Sequence, residues 1–114
     1  GPDALADAPI AAVIGDGTVV AGTVDRLLVR ADRVTVVDFK TTRRPPHALD
    51  EVPVFHLRQM AAYAAALERV FPGREVEAAL LYTAAPRLLV LPPALLALHK
   101  PGLAAPEQSY EPGA

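Results

Sequence analysis

The sequence has 114 residues, and none of them is cysteine. The chain can therefore form no disulfide, and it offers no thiolate for a zinc site or an iron–sulfur cluster. It contains no run of about 18 apolar residues, so we expect no transmembrane helix. Its N-terminus has neither the basic nor the apolar segment of a signal peptide. These absences predict a cytoplasmic protein.

Lysine is scarce, because only Lys40 and Lys100 occur among 11 lysines and arginines. Arginine cannot supply a compact ammonium with an adjustable pKa, so Lys40 indicates a chemical need. The formal net charge of −2 does not favour a free-standing nucleic-acid binder. Residues 26–58, however, carry seven basic and four acidic side chains. This local excess is either ordinary surface charge or part of a site for an anion.

The length and a hydrophobic content of 52% predict one domain with an adequate core. Gly1-Pro2 is typical of the scar left when an affinity tag is cleaved, so we expect a piece of a longer protein. We predict that residues 1–9 are this scar and a loose lead-in. Residues 10–100 are expected to form the domain, and residues 101–114 a flexible tail.

The first half of the domain is predicted to be an antiparallel meander. Apolar residues 10–14 precede the turn signal Gly15-Asp16-Gly17, and strands are expected over residues 18–29 and 34–40. Gly22, inside the second strand, indicates a bulge or a close backbone approach.

The second half is predicted to alternate helix and strand. A loop over 42–53 precedes a helix over 54–70, whose apolar residues have helical spacing. Strands are expected over 77–83 and 87–91, the latter at a sheet edge, and a short helix over 93–99. The fold class is therefore α/β (α+β), with a mixed central sheet.

Charged side chains stand at the end of an apolar strand. Asp38 and Lys40 are two residues apart and share a face, while Phe39 points the other way. Asp25 is expected to lie level with Asp38 on the neighbouring strand. Charges at the end of a buried strand are costly unless they are paired or bind a metal. The pattern predicts a hydrolytic metal site, although a simple Asp38–Lys40 ion pair is the alternative.

Three motifs in this order resemble the PD-(D/E)XK nuclease superfamily: Gly22-Thr23-Val24-Asp25-Arg26, Val37-Asp38-Phe39-Lys40-Thr41, and Gln59-Met60-Ala61-Ala62-Tyr63. Within it they are similar to RecB-type nuclease domains, and above all to those of the AddA family of bacterial helicase–nucleases. The resemblance implies a restriction-endonuclease-like core and metal-dependent exonuclease activity on DNA ends. It further implies double-strand break repair, a helicase in the parent protein and an AddB-type partner.

The resemblance also implies roles for individual residues. Mg²⁺ or Mn²⁺ would be held by Asp25, Asp38 and the backbone carbonyl of Phe39. Lys40 would hold or deprotonate the attacking water. The other implied site residues are Gln59 and Tyr63, which line the site, and Arg26, Arg43 and Arg44, which contact phosphates. The alternative for these side chains is an ordinary surface or core position, and His56 is expected to be structural.

One departure from the family pattern concerns the metal ligands. RecB-type domains carry a further His or Glu on a helix upstream of the first Asp, and here only Asp7 and Asp16 precede Asp25 within reach. We therefore expect weak or no cleavage by this chain alone. Alternatives are a standalone RecB-like, phage-type or CRISPR-associated nuclease, and a non-catalytic DNA- or protein-binding module with the same fold.

Overall fold

The computed structural model describes residues 3–101. Five strands, two helices and a short 3₁₀ turn at Leu49–Glu51 follow in the order β1 (Asp3–Ile14), β2 (Thr18–Val29), β3 (Arg33–Lys40), α1 (Val54–Val70), β4 (Glu75–Tyr82), β5 (Arg87–Leu91) and α2 (Pro93–Ala97). The predicted scar at residues 1–2, and the predicted tail from residue 102 onward, lie outside the described residues.

The strands form one mixed sheet in the order β1-β2-β3-β4-β5. Strands β1, β2 and β3 are antiparallel neighbours, as the predicted meander requires. Strand β4 runs parallel to β3 and antiparallel to β5. A parallel pair needs a crossover connection, and α1 supplies it between β3 and β4. The predicted mixed sheet with flanking helices is thus confirmed, with β5 at an edge.

Helix α1 has the predicted bounds because its sequence carries signals at both ends. Pro53 immediately precedes the helix, and Phe71-Pro72-Gly73 ends it, with Gly73 at a φ of 86° that favours glycine. One stripe of α1 is buried against the sheet, and its members include Leu57, Met60, Ala64 and Leu67. The core therefore lies between α1 and one face of the sheet.

Strand β1 is longer than predicted. Residues 3–9, expected to be a loose lead-in, pair with β2 from Asp3–Val29 onward, so that part of the prediction was wrong. Backbone hydrogen bonds to β2 hold residues 3–9 in the strand. These bonds form whether or not apolar and polar side chains alternate along the sequence. Because β1 is an edge strand, Pro9 can be accommodated without a central ladder bond being lost. Smaller differences are that β4 spans 75–82 rather than 77–83 and that α2 ends at Ala97.

An irregularity interrupts the β1–β2 ladder beside the predicted site. The ladder pairs Ala6 with Arg26 and Ala8 with Val24 but skips Asp7 and Asp25, and Asp7 has a φ of 51°. On β2, buried Val24 is followed by buried Leu27, an odd spacing that shows a change of face. Bulges change the direction of side chains and are common next to active sites. Asp25 lies at this irregularity of the β1–β2 ladder.

Within residues 3–101, no helix has the length and apolarity needed to cross a membrane.

Candidate active site

Four of the predicted site residues lie together at the C-terminal end of β3. The Lys40 Nζ atom is 2.8 Å from Asp38 Oδ2 and 3.3 Å from Gln59 Oε1, to which it donates a hydrogen bond. Asp38 is buried, with 8% of its surface exposed, and Lys40 is half-buried. The Lys40 ammonium therefore links helix α1, through Gln59, to Asp38 of the sheet.

Asp25 joins this group through the backbone of β3. Regular pairing of β2 and β3 ends at Arg26–Val37, which leaves Asp25 level with Asp38 as predicted. Beyond that pair, the backbone N–H of Phe39 donates to Asp25 Oδ2 at 2.7 Å. The Asp25 carboxylate thus accepts a hydrogen bond that a backbone carbonyl of β2 would accept in a regular ladder. This bond fixes the Asp25 side chain toward β3.

The two carboxyl groups titrate in opposite directions. Burial raises the pKa of Asp38, and the neighbouring Asp25 carboxyl raises it further against the effect of Lys40. The pKa of Asp25 is lowered by its hydrogen bond with Asp38 and by the Phe39 N–H. Two neighbouring carboxylates repel each other, and a cation held by both relieves that repulsion. The pair therefore attracts positive charge beyond that of Lys40.

This donor set fits a hard divalent cation. Mg²⁺ binds one or two carboxylates and keeps several waters, and Asp25 and Asp38 supply two carboxylates at one strand end. Within residues 3–101, no group of three His, Asp or Glu side chains is placed to hold a metal. Asp7 lies on β1 level with Asp25 but is exposed, and the Asp16 carboxylate accepts hydrogen bonds from Thr18 in the β1–β2 turn.

Tyr63 packs one turn after Gln59, against β2. A Cβ atom placed on Gly22 would lie 2.6 Å from Tyr63 Oη, so the predicted close approach at Gly22 is confirmed. Tyr63 is buried and its recorded contact is with Gly22, whereas Gln59 is half-buried and contacts Lys40, so the structure brings Gln59 but not Tyr63 into contact with the site.

The three predicted arginines lie in different places. The Arg26 guanidinium stacks over the Phe39 ring, 5.5 Å from its centroid, and so belongs to the face opposite Lys40. Arg43 and Arg44 are exposed on the loop after β3, and Arg44 lines a cleft beside the site. A phosphate contact by any of the three remains a prediction.

Sequence reasoning gave no role to two residues that border Lys40. Tyr82 lies in register with Lys40 on β4, and His56 lies one turn before Gln59 on α1. Burial and the charge of Lys40 lower the pKa of His56, and burial raises that of Tyr82. The sequence did contain a signal for Tyr82, because its side chain ends in a hydroxyl and directly follows the apolar run 78–81 at the end of a buried strand.

A sequence model of the PD-(D/E)XK nuclease superfamily matches residues 4–111, almost the whole chain. The chain belongs to the PD-(D/E)XK nuclease superfamily. The mixed sheet with flanking helices is the restriction-endonuclease-like fold of that family. PD-(D/E)XK nucleases generally use divalent metals such as Mg²⁺, which agrees with the oxygen donors described above. No curated protein matches the chain significantly.

Proposed function

We propose that this PD-(D/E)XK domain is the Mg²⁺- or Mn²⁺-dependent DNA exonuclease of an AddA/RecB-type helicase–nuclease in double-strand break repair. The observation that carries the nuclease part is the convergence of Asp25, Asp38, Lys40 and Gln59 at one strand end. The repair role, the ATP-dependent helicase of the parent protein and the AddB-type partner rest on the resemblance of the three motifs to AddA-family domains.

Each side chain has a separate task in this proposal. Asp25 and Asp38, with the Phe39 carbonyl, hold the cation, which when bound polarises the scissile phosphate and helps to generate the nucleophile. The Lys40 ammonium positions the attacking water and balances negative charge that develops on the phosphate oxygens. Gln59 accepts a hydrogen bond from Lys40 and thereby keeps its ammonium near Asp38.

The chain alone is expected to cleave DNA weakly. Two carboxylates and one carbonyl leave most of the coordination sphere to water, so the cation is held loosely. Mn²⁺ should support more cleavage than Mg²⁺ at equal concentration, because nitrogen and oxygen sites bind it at least as readily and with less demanding geometry.

The decisive experiment is cleavage of linear single-stranded DNA with and without Mn²⁺, comparing wild type with Lys40→Ala and Lys100→Ala. Lys100 is a matched control because it is the second lysine of the chain and, within residues 3–101, it forms an exposed ion pair with Glu68. We expect Lys40→Ala to lose about 10²-fold or more in rate and Lys100→Ala to cleave like wild type. Cleavage that survives Lys40→Ala would refute the assignment of this site.

A non-catalytic binding module is the second candidate, and the small number of metal ligands favours it. Calorimetric titration with Mn²⁺ separates the two functions. Absence of binding to the folded chain, with Asp25 and Asp38 intact, would favour the module. A standalone RecB-like, phage-type or CRISPR-associated nuclease remains the alternative to a helicase–nuclease, and the coding sequence upstream of Asp3 would distinguish them.

A further inference from the structure

A cleft of about 160 Å³ opens near Lys40, and it is lined by Tyr82, the register partner of Lys40 on β4. We call it the Tyr82 cleft. Its walls come from the loop after β3, the first turn of α1 and the end of β4, and its lining includes Thr42, Arg44, Glu51, Pro53, His56 and Tyr82. Since one water occupies about 30 Å³ in the liquid, the cleft has room for a group of several atoms.

Two buried polar atoms in this cleft have no hydrogen-bond partner in the described part of the chain. They are Tyr82 Oη and His56 Nδ1. Tyr82 is only 1% exposed, so its hydroxyl has lost its hydrogen bonds to water and gains none from the described residues. Leaving a buried polar group unpaired costs about 1–3 kcal/mol, which points to a ligand that supplies the missing bond.

The electrostatics of the cleft favour an anion. Helix α1 has 17 residues, no side chain caps its N-terminus, and no acidic residue lies in its first turn. The N–H groups of Val54 and Phe55 precede the first hydrogen bond of the helix, which the His56 N–H makes to the Pro53 carbonyl at 2.9 Å. Together with the helix dipole, they attract negative charge to this end of α1. Arg44 adds a full positive charge. The ordinary pKa of tyrosine, about 10, already lies far above neutral pH and burial raises that of Tyr82 further, so its hydroxyl can donate.

The walls of the cleft are fixed rather than loose. Arg87 on β5 donates from its guanidinium to the Pro46 carbonyl at 2.8 Å, which anchors the loop that carries Arg44. The Glu51 carboxylate, the one negative group in the lining, accepts the His47 N–H at 2.8 Å. Its charge is thus partly engaged in holding the same loop.

We propose that the Tyr82 cleft binds a second phosphate of the DNA substrate, distinct from the phosphate attacked beside Asp38 and Lys40. This inference rests on the proposed nuclease function. The Tyr82 hydroxyl, the His56 imidazole, the Arg44 guanidinium and the first N–H groups of α1 donate to its oxygens. The phosphate is either an internal phosphodiester next to the cleaved bond or a terminal monophosphate, since the same donors suit both.

Inorganic phosphate is the first probe, titrated into the metal-free full chain at constant ionic strength and followed by ¹H–¹⁵N NMR. We expect saturable shifts at the amides of Val54 and Phe55, the first two of α1. Tyr82→Phe, which keeps the ring and its packing, and Arg44→Ala, an exposed loop variant, should each weaken binding about tenfold. Arg69→Ala removes the same charge at the far end of α1 and should change nothing.

Cleavage of DNA with a 5′-phosphate or a 5′-hydroxyl then identifies the source of the phosphate. A terminal site predicts a preference for the phosphorylated end that Tyr82→Phe abolishes. An internal site predicts that Tyr82→Phe slows both substrates by the same factor. Either result supports the proposal.

The two proposals fail in different ways. If wild type binds phosphate at α1 and Tyr82→Phe weakens it, but no condition gives cleavage, the nuclease proposal fails and the phosphate site stands. If Tyr82→Phe and Arg44→Ala bind phosphate as wild type does, the cleft is not a phosphate site. The unpaired atoms are then bridged by water.

Discussion

Tyr63 of α1 occupies the space that a side chain at position 22 of β2 would need. The Cβ atom of an alanine at this position would lie 2.6 Å from Tyr63 Oη and 3.0 Å from Cε1. Glycine here is thus a packing requirement, and it lets the helix that carries Gln59 approach the strand that carries Asp25. This contact is one of those that fix α1 against β2, beside the hydrogen bond between Gln59 and Lys40.

Gly22→Ala should therefore destabilise the protein by about 1–3 kcal/mol, the usual cost of overpacking a core. Either the buried Tyr63 ring or the backbone of β2, which pairs here with β1 through Gly22 and Ile10, must shift. Urea denaturation measures the change, and Thr23→Ala, at the next exposed position of β2, should stay within about 0.5 kcal/mol of wild type. In a double-mutant cycle with Tyr63→Phe, part of the loss should be recovered because the nearest atom is removed. Purely additive effects would contradict the contact.

Asp38→Asn should remove metal binding without destabilising the metal-free protein. The raised pKa shows that the Asp38 carboxylate is disfavoured despite Lys40, so a neutral side chain of the same shape relieves burial and repulsion. We expect an equal or higher melting temperature without metal, and loss of the stabilisation that saturating Mn²⁺ gives wild type. Asp50→Asn, at an exposed position of the 3₁₀ turn, should keep the Mn²⁺ effect. A variant that melts well below wild type without metal would contradict this.

The shifted pKa values of Asp38, Asp25 and His56 predict how stability depends on pH. An acid with a raised folded pKa holds its proton more tightly when folded, so Asp38 contributes stability that is lost as pH rises above its usual 3.8. Asp25 acts oppositely, because its lowered pKa gives stability that is lost as pH falls below 3.8. His56, with a lowered pKa, contributes stability that is lost as pH falls through 6.5.

Comparison of wild type with Asp38→Asn isolates the first of these effects. Without metal, the stability of the variant relative to wild type should increase as the pH is raised from about 4 to about 6. Urea unfolding at constant ionic strength measures this difference. A difference that stays constant over the range would mean that Asp38 titrates normally.

Much of the fold follows from local signals. The bounds of α1 follow from Pro53 and from Phe71-Pro72-Gly73, and those of β2 from the Gly15–Gly17 turn and its β-branched residues. The level placement of Asp25 and Asp38 needed only a turn centre near residues 31–32. Such features depend on neighbours along the chain, so periodicity and turn chemistry are sufficient to predict them.

What the sequence could not predict depends on contacts between distant segments. The first half of β1 pairs through its backbone, and its Ala, Asp and Pro side chains carry no strand pattern. The Tyr82 cleft needs three segments whose relative placement is set by the parallel β3–β4 pairing and by Arg87 anchoring the loop at Pro46. Neither residue type nor spacing reveals that His56 Nδ1 and Tyr82 Oη are both buried and that both residues line one cleft.

Gln59→Ala should slow cleavage by acting through Lys40. The amide oxygen accepts the Lys40 hydrogen bond at 3.3 Å, and without it the ammonium can rotate away from the attacking water. We expect a loss of about tenfold, smaller than the loss in Lys40→Ala, because positioning contributes less than the charge itself. Adding Gln59→Ala to Lys40→Ala should have no further effect. Arg58→Ala, at the exposed preceding position, controls for changes in the helix.

Arg26 and Arg44 should differ in their importance for DNA binding. The Arg26 guanidinium is engaged with the Phe39 ring and with the Asp25 carbonyl at 3.2 Å, on the face away from Lys40. Arg44 lines the Tyr82 cleft beside Lys40. Arg44→Ala should therefore weaken binding of single-stranded DNA and reduce the slope of affinity against salt by about one phosphate contact, while Arg26→Ala should change neither. Equal salt slopes for wild type and Arg44→Ala would place the DNA backbone elsewhere. A reduced slope for Arg26→Ala would instead mean that its guanidinium leaves Phe39 when DNA binds.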